Sequence, residues 1–457
     1  MNETPPRLPE ELPGAFLERM KKDLSDTPGA CDAFLSSYTA PPVHSLRLNT
    51  LRGARRDDLP FAFSGSVPWE PDGLYYEESS GMRPGKHILH EAGAYYIQEA
   101  SAMLPAQLLA SVHDDAEPLR VLDLCAAPGG KSVQLAMRMQ GQGLLVSNEI
   151  HPARAQILSQ NIERMGIANA VVTNESPERL AEHFPAFFDR ILVDAPCSGE
   201  GMFRKNPEAV REWSPEAVEK CAERQRQILA RACQMLAPGG YLVYSTCTFA
   251  PAEDEEMIDL FLREHPDFSL LRREKFLPHE VRGEGHFCAL LRQNSSPVKS
   301  SPRPFRQSGT AGRVPVREFS KWLEELLCDP SAIDCSEGRL HSYGDHLYLI
   351  PRGLSDINGI RVLRPGLHLA DILKRRTGDE FVPAHALSHA LAPGQARNVQ
   401  GLTEEEAAAY LGGQALRSSL SGRSHILMAY LGFPLGWARL AGGQLKNLYP
   451  KGLRLNR

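Results

Sequence analysis

Three short stretches of this 457-residue chain hold side chains able to form and break bonds. Asp123-Leu-Cys-Ala-Ala-Pro-Gly-Gly-Lys131 ends an apolar run in two adjacent glycines. Such a pair lets the backbone turn sharply and brings the free amides of a following helix up to a ligand. Asp194-Ala-Pro-Cys197-Ser-Gly-Glu-Gly201 and Ser245-Thr-Cys247-Thr248 each place a thiol just beyond another apolar run. A thiolate in a polar or positive setting is a strong nucleophile. A carboxyl such as that of Asp194 can protonate or hydrogen-bond a ring nitrogen as charge develops there. One cysteine in such a place is more often inert packing. Two at corresponding strand ends beside a cofactor turn favour chemistry.

The elements that must position these residues are readable from periodicity. Apolar runs of four to seven residues at 121–125, 144–149, 170–173, 190–194 and 241–246 are rich in Val, Ile, Leu or Tyr, as strands buried on both faces are. Between them, Pro152 suits the first position of a helix whose apolar face is Leu158, Ile162 and Met165, and Gly166 ends it. A longer helix follows Ser214-Pro215, with Val218, Ala222, Gln225, Leu229 and Cys233 on one side, and stops at Pro238-Gly239-Gly240. Alternating strands and helices predict an α/β, Rossmann-like parallel sheet covered on both faces. Residues 286–291 are expected to close it as an antiparallel strand.

Glu149 stands twenty residues after Gly129, at the tip of the second strand, where a Rossmann-type fold places the carboxylate that holds ribose hydroxyls. The turn and Glu149 suit a nicotinamide or an adenosylmethionine cofactor. The loop does not match GxGxxG, whose glycines make room for a pyrophosphate, and this favours a ligand without phosphates. An NAD-dependent oxidoreductase is therefore the weaker reading, and a ribosome-assembly factor that binds RNA without turnover is a non-enzymatic alternative.

DLCAAPGGK, VDAPCSGEG and YSTCT, in this order, resemble the Nop–Sun family of RNA 5-methylcytosine methyltransferases. The likeness covers roughly residues 90–292 and extends to Gln98-Glu99 and to the Arg154/Asn161 pattern after Glu149. It implies S-adenosyl-L-methionine as cofactor, Cys247 as nucleophile and Cys197 as its helper in product release. It implies that Asp194 contacts the cytosine and the cofactor region, and that Cys125, Ala126, Ala127, Pro128, Gly129, Gly130 and Lys131 hold the cofactor with Glu149. Lys131 would also lie near the target base. Carbon 5 of cytosine is too weakly nucleophilic to take a methyl group unaided; a thiolate adding to C6 makes the ring enamine-like. The sequence departs from the family after the third strand. There an Asp usually binds the adenine amino group, and this chain has Thr173-Asn-Glu-Ser176, leaving that contact to Ser176, Asn174 or a backbone carbonyl.

Outside the catalytic region, Leu46-Arg-Leu-Asn49 resembles the family's N-terminal RNA-binding region, and LGWARLAGGQLKNLYPKGLR resembles the end of the bacterial RsmF-type enzymes, which act on small-subunit (16S) ribosomal RNA. The expected division is an N-terminal RNA-binding region at 1–90, with a helical stretch over 16–35 and an apolar run at 45–51, then a methyltransferase domain at 91–293. A linker at 294–316 follows, then a first C-terminal α+β domain at 317–385 and a second, PUA-like RNA-binding domain at 400–457.

Net charge is −5, which does not advertise a nucleic-acid binder, but its distribution does. The segment 294–317 carries Lys299, Arg303, Arg306, Arg313 and Arg317 with no acid, and fits a solvated linker. The tail carries Arg439, Lys446, Lys451, Arg454 and Arg457 interleaved with Trp437, Leu440, Leu445, Leu448 and Tyr449, a folded basic surface suited to a phosphate backbone. The nine cysteines form no CxxC pair, which argues against disulfides and a thiolate zinc site. His385 and His389 have a metal-like spacing of four without a third ligand nearby, so no metal is expected. No signal peptide or membrane-spanning run is apparent, and a cytoplasmic monomer with RNA as partner is the expectation.

Overall fold

The computed structural model describes residues 11–78, 82–112, 119–296, 316–335, 339–376, 378–420 and 422–455. Most of the expected linker, with Lys299, Arg303, Arg306 and Arg313, lies outside the described residues, as does Arg457.

The centre is an eight-stranded sheet. In chain order its strands are β1 (Arg120–Asp123), β2 (Leu144–Asn148), β3 (Ala170–Thr173), β4 (Phe188–Asp194), β5 (Leu236–Thr246), β6 (Phe268–Phe276), β7 (His286–Gln293) and β8 (Val362–Arg364). Their spatial order is β6-β7-β5-β4-β1-β2-β3-β8. The five strands from β1 to β5 are mutually parallel, and β7 pairs antiparallel with β5 as the pattern at 286–291 predicts. The reversal of strand order at β1 puts a crevice beyond the carboxyl ends of β1, β2 and β4, where doubly wound sheets bind ligands.

Helices cover both faces. Helices α1 (Gly130–Arg138) and α2 (Pro152–Arg164) pack Val133, Ala136, Leu158 and Ile162 on one face. On the other, α3 (Pro177–His183), α4 (Pro215–Met235) and α5 (Glu255–Glu264) contribute Leu180, Leu229 and Ile258. These side chains are wholly or almost wholly buried, and each of the valine, leucine and isoleucine side chains stabilises the fold by about 1.5–3 kcal/mol. Ser214 caps α4, its hydroxyl oxygen accepting from the Ala217 amide at 3.1 Å, with Pro215 in the first turn.

Four differences from the sequence-based expectation have physical causes. The stretch 16–35 is two helices, Gly14–Asp23 and Ala30–Ser37, because Gly29 takes a left-handed conformation (φ 78°) before the second. Helix α4 ends at Met235, before Pro238-Gly239-Gly240, because Leu236 is already extended and pairs with Phe188 of β4. Strand β6, half exposed and strongly charged, lacks the apolar signature of its neighbours. Strand β8 comes from within residues 317–385, so part of that unit completes the edge of the central sheet beside β3.

The flanking units are packed into the whole. Phe16 and Phe34 share a core with Phe203, Trp213 and Phe249. Leu46 and Tyr95 of the N-terminal sheet share another with Tyr410, Ile426 and Tyr449. The remaining C-terminal strands form a four-stranded sheet (Leu340–Tyr343, His346–Leu349, Leu367–Arg375, Gly378–Pro383) and a five-stranded one ending at Gln444–Asn447. Among the described residues, no helix is long and apolar enough to cross a membrane.

Candidate active site

A cavity of about 560 Å³ opens at the carboxyl ends of the parallel strands. That is within the range of about 300–1,000 Å³ for small-molecule sites. Cys125, Ala127, Glu149, Asp194, Cys197 and Cys247 all line it, so residues from the three motifs and Glu149 meet in one place. Ala126, Pro128, Gly129, Gly130 and Lys131 form the turn behind its wall and the first residues of α1.

The glycine turn is built for close approach. Gly129 has φ 116°, a conformation that L side chains rarely adopt, and a Cβ on Gly130 would stand 3.1 Å from the Tyr96 ring. The Arg154 guanidinium donates to the Ala127 carbonyl (2.8 Å) and the Asn161 amide to the Pro128 carbonyl (2.8 Å), so these two residues hold the loop from α2. Glu149 is almost fully buried. Its carboxylate accepts from the His151 amide at 2.9 Å and lies 3.3 Å from Arg154. Ser176 does not line the cavity. Its hydroxyl oxygen accepts from the Arg179 amide (3.4 Å) to cap α3, and the next residues, Pro177 and Glu178, form that part of the wall.

At the other end, Cys197 Sγ and Cys247 Sγ are 3.3 Å apart. The hydrogen bond to Cys247, and then burial, push the Cys197 thiol well above its ordinary range, so Cys197 is held as a thiol. Lys131 donates to Asp194 Oδ2 at 2.7 Å, and Ser245 Oγ donates to Oδ1 at 2.8 Å. His286 brings Nε2 to 3.5 Å from Oδ1. Burial alone would raise the Asp194 carboxyl, but Lys131 and His286 outweigh it and hold the group well below the usual carboxylate range. Burial likewise disfavours the Lys131 ammonium, and Asp194 more than compensates, with a Cys247 thiolate adding to the effect.

The supporting shell was only partly visible in the sequence. Gln225 of α4 donates to the Pro196 carbonyl (3.0 Å) and to Glu253 (2.7 Å), and Glu253 accepts from the Ser198 amide (3.0 Å). The Gly201 amide donates to the Cys247 carbonyl (2.8 Å), and a Cβ on Gly201 would come within 2.9 Å of that oxygen. His286 and Glu253 carry no local motif; Ser245 opens the motif that ends in Cys247 and Thr248, but only the fold shows that its hydroxyl donates to Asp194.

Among the described residues, the group of ligand type that converges is His346, His368 and Asp371, whose donor atoms lie within 4.8 Å of one another. The two imidazoles share one Asp371 oxygen at 2.6 and 3.0 Å, which accounts for the cluster as charge-assisted contacts, and none of the three lines the cavity. His385 and His389 have Nε2 atoms 3.2 Å apart and pack against Tyr449 and the Arg52 guanidinium.

Comparison with known proteins identifies the family. Residues 106–292 match the family model of the 16S rRNA methyltransferase RsmB/F. Residues 12–100 match the N-terminal domain of 16S rRNA methyltransferase RsmF, 321–391 its first C-terminal domain and 397–455 its PUA domain. Ribosomal RNA small subunit methyltransferase F of Escherichia coli strain SE11 is 33% identical over 470 aligned residues, covering 97% of this chain and 96% of that one. The same protein of Shigella boydii serotype 18 gives the same figures. Among solved structures, a methyltransferase homologue from Pyrococcus horikoshii superposes with a TM-score of 0.52 at 26% identity, covering 62% of this chain and 99% of its own. NSun6 from P. horikoshii, determined with SFG, shares the fold at a TM-score of 0.55 and 20% identity, covering 63% of this chain and all of its own.

Proposed function

This chain belongs to the 16S rRNA methyltransferase RsmB/F family, and we propose that within it Cys247 is the nucleophile that attacks C6 of a small-subunit rRNA cytosine. The enzyme is an S-adenosylmethionine-dependent rRNA (cytosine-C5)-methyltransferase. S-adenosylmethionine, when bound, supplies the methyl group that C5 takes up. The turn Cys125–Lys131 and Glu149 hold it, with Pro177 and Glu178, rather than Ser176, on the wall at the adenine end.

The protein's own residues carry the other steps. The Cys247 thiolate forms a bond to C6, which moves the ring's electron pair toward C5. Asp194, held as a carboxylate by Lys131, Ser245 and His286, is pre-set to accept a hydrogen bond from the exocyclic amine of the cytosine and so to orient the ring. Once C5 is methylated it must lose its proton, and the C6–sulfur bond must break, returning its electrons to Cys247. Cys197, 3.3 Å from that sulfur, assists this release. The target base must leave any helical stack to enter the cavity.

The N-terminal region and the two C-terminal units are assigned to gripping RNA, largely by shape and backbone. The observation that carries the mechanism is the meeting of two thiols at one end of a cavity that has Glu149 at the other.

The test is a denaturing gel of Cys197→Ala and Cys247→Ala proteins incubated with small-subunit RNA and S-adenosylmethionine. Cys197→Ala is expected to accumulate a covalent RNA adduct. Cys247→Ala is expected to form none and to transfer no methyl group. Methylation by Cys247→Ala would overturn the assignment.

A further inference from the structure

We propose that Arg361, at the start of β8, is a positioning residue for the adenosine side of the cofactor site, so that the first C-terminal unit helps to build the pocket in which S-adenosylmethionine binds. The inference rests on the reading above that places the cofactor against Glu149.

Strand β8 adds to the central sheet from a point in the sequence nearly two hundred residues after β3, with Val362 opposite Thr173 and Arg364 opposite Val172. Covering an exposed sheet edge would need only ladder hydrogen bonds. More than that is present. The Asn174 amide donates to the Arg361 carbonyl at 2.9 Å, and the Arg361 amide donates to Glu175 Oε1 at 2.7 Å. The Arg361 guanidinium donates to Asn174 Oδ1 at 3.1 Å. Asn174 is itself almost fully buried, and its Nδ2 donates to the carbonyls of Glu149 (2.7 Å) and Ile150 (2.9 Å). Glu149 and Ile150 both line the cavity.

The direction of the Asn174 side chain is thus fixed from both ends. Its oxygen is taken by Arg361, so its amine must face the two carbonyls that set the course of the chain past Glu149. Without the guanidinium, Asn174 is oriented from one end only, by the two carbonyls it donates to, and its bonds to the Glu149–Ile150 backbone are held less firmly. Glu149 then samples positions in which its carboxylate does not meet the ribose. Arg361 is exposed, so its replacement removes this restraint without opening a core. Gly359 ties to the same region once more, its carbonyl accepting from Arg179, which also pairs with Glu175 at 2.9 Å.

The experiment compares the full-length protein with Arg361→Ala, Arg361→Lys, Asn174→Ala and Glu149→Gln. Affinity for S-adenosylhomocysteine is measured by calorimetry, and kcat and KM for both substrates by methyl transfer. Arg361→Ala and Asn174→Ala are expected to weaken S-adenosylhomocysteine binding and raise the S-adenosylmethionine KM by about three- to tenfold, the effect of one or two net hydrogen bonds. Values of kcat and RNA KM should stay within about twofold of the parent, as removal of uniform ground-state binding predicts. Arg361→Lys, which keeps one donor, should recover part of the loss. If Glu149→Gln weakens binding while Arg361→Ala leaves it unchanged, or alters only the RNA KM, the positioning role is wrong and the cofactor assignment stands. If Glu149→Gln has no effect on binding, the cofactor assignment itself fails and the inference falls with it.

Discussion

The cofactor cavity has two ends that the chain builds in different ways. The cysteine end comes from β4, β5 and β7, and each of its reactive groups sits within a few residues of a strand terminus bearing a motif. The adenosine end comes from β2, β3 and β8, and its outer wall depends on Arg361, which no local pattern connects to Asn174. At the first end the chemistry is dictated by covalent neighbours; at the second it depends on a long-range pairing. The two ends should therefore fail differently. Damage at the cysteine end should stop turnover, and damage at the adenosine end should loosen binding or local structure.

The largest effect is expected at the cysteine end. Asp194→Asn keeps the shape but removes the charge that Lys131 and His286 face, leaving a buried ammonium with no counter-charge. We expect kcat for methyl transfer from labelled S-adenosylmethionine to fall by about 100- to 1,000-fold at saturating RNA, the usual loss when a preorganised polar partner at the reacting centre is removed. Affinity for S-adenosylhomocysteine should change far less. A loss confined to cofactor affinity would erase the distinction between the two ends.

At the adenosine end the next effect is structural. Arg364 of β8 is almost fully buried, pairs with Glu163 of α2 and donates to Ser159 Oγ at 3.3 Å. Arg364→Met strands the Glu163 carboxylate, which burial would raise and which Arg364 otherwise holds below its ordinary value. Breaking such a pair costs about 3 kcal/mol. The expected readout is faster hydrogen–deuterium exchange in residues 170–175 and 359–365, with exchange around Cys247 unchanged. Replacing Glu163 by Leu in the same protein should restore much of the protection, since an apolar pair carries no desolvation penalty.

The same contrast explains what was legible in the sequence. Strands β1 to β5 announce themselves because strands buried on both faces are continuous apolar runs, and the helices α2 and α4 because Pro152 and Ser214-Pro215 mark their starts. The cysteines, Asp194 and the glycine turn follow directly from those strand ends. Strand β8 is three residues long, with one of them an arginine, and reads as part of its own unit. His286 was placed on a strand but its approach to Asp194 depends on the pairing of β7 with β5. Ser176 occupies the expected position in sequence, yet Pro177 after it starts a helix, and the hydroxyl is drawn to the Arg179 amide. The shared core of the N-terminal sheet and the last C-terminal unit joins residues hundreds of positions apart, and no periodicity reports that.

Strand β1 lies between the two ends and yields the smallest effect at any one pH step. Asp123, fully buried, and Asp194, partly exposed to the cavity, both lie near Lys131, but the lysine donates only to Asp194. Burial raises the Asp123 carboxyl to about 7, with only the Ser132 hydroxyl bonded to it at 2.7 Å and Oδ1 without a hydrogen-bond partner. Asp123 therefore keeps its proton in the folded protein over a range where the unfolded chain, with its value near 3.8, has lost it. Between about pH 4 and pH 7 the folded state binds more protons than the unfolded one, so this group's contribution to stability falls as pH rises, by at most about 1.4 kcal/mol per pH unit. The opposite holds for Asp194, whose contribution is present above the unfolded carboxylate value and is lost as pH falls toward its depressed one. Asp123→Asn removes the first titration and leaves the second. The gap in unfolding midpoint between the parent and Asp123→Asn, measured at intervals from pH 4.5 to 7.5, should shift steadily against the parent as pH rises. A constant gap would mean that Lys131 is shared between the two carboxylates, and that the cysteine end holds its lysine less exclusively than the 2.7 Å bond to Asp194 implies.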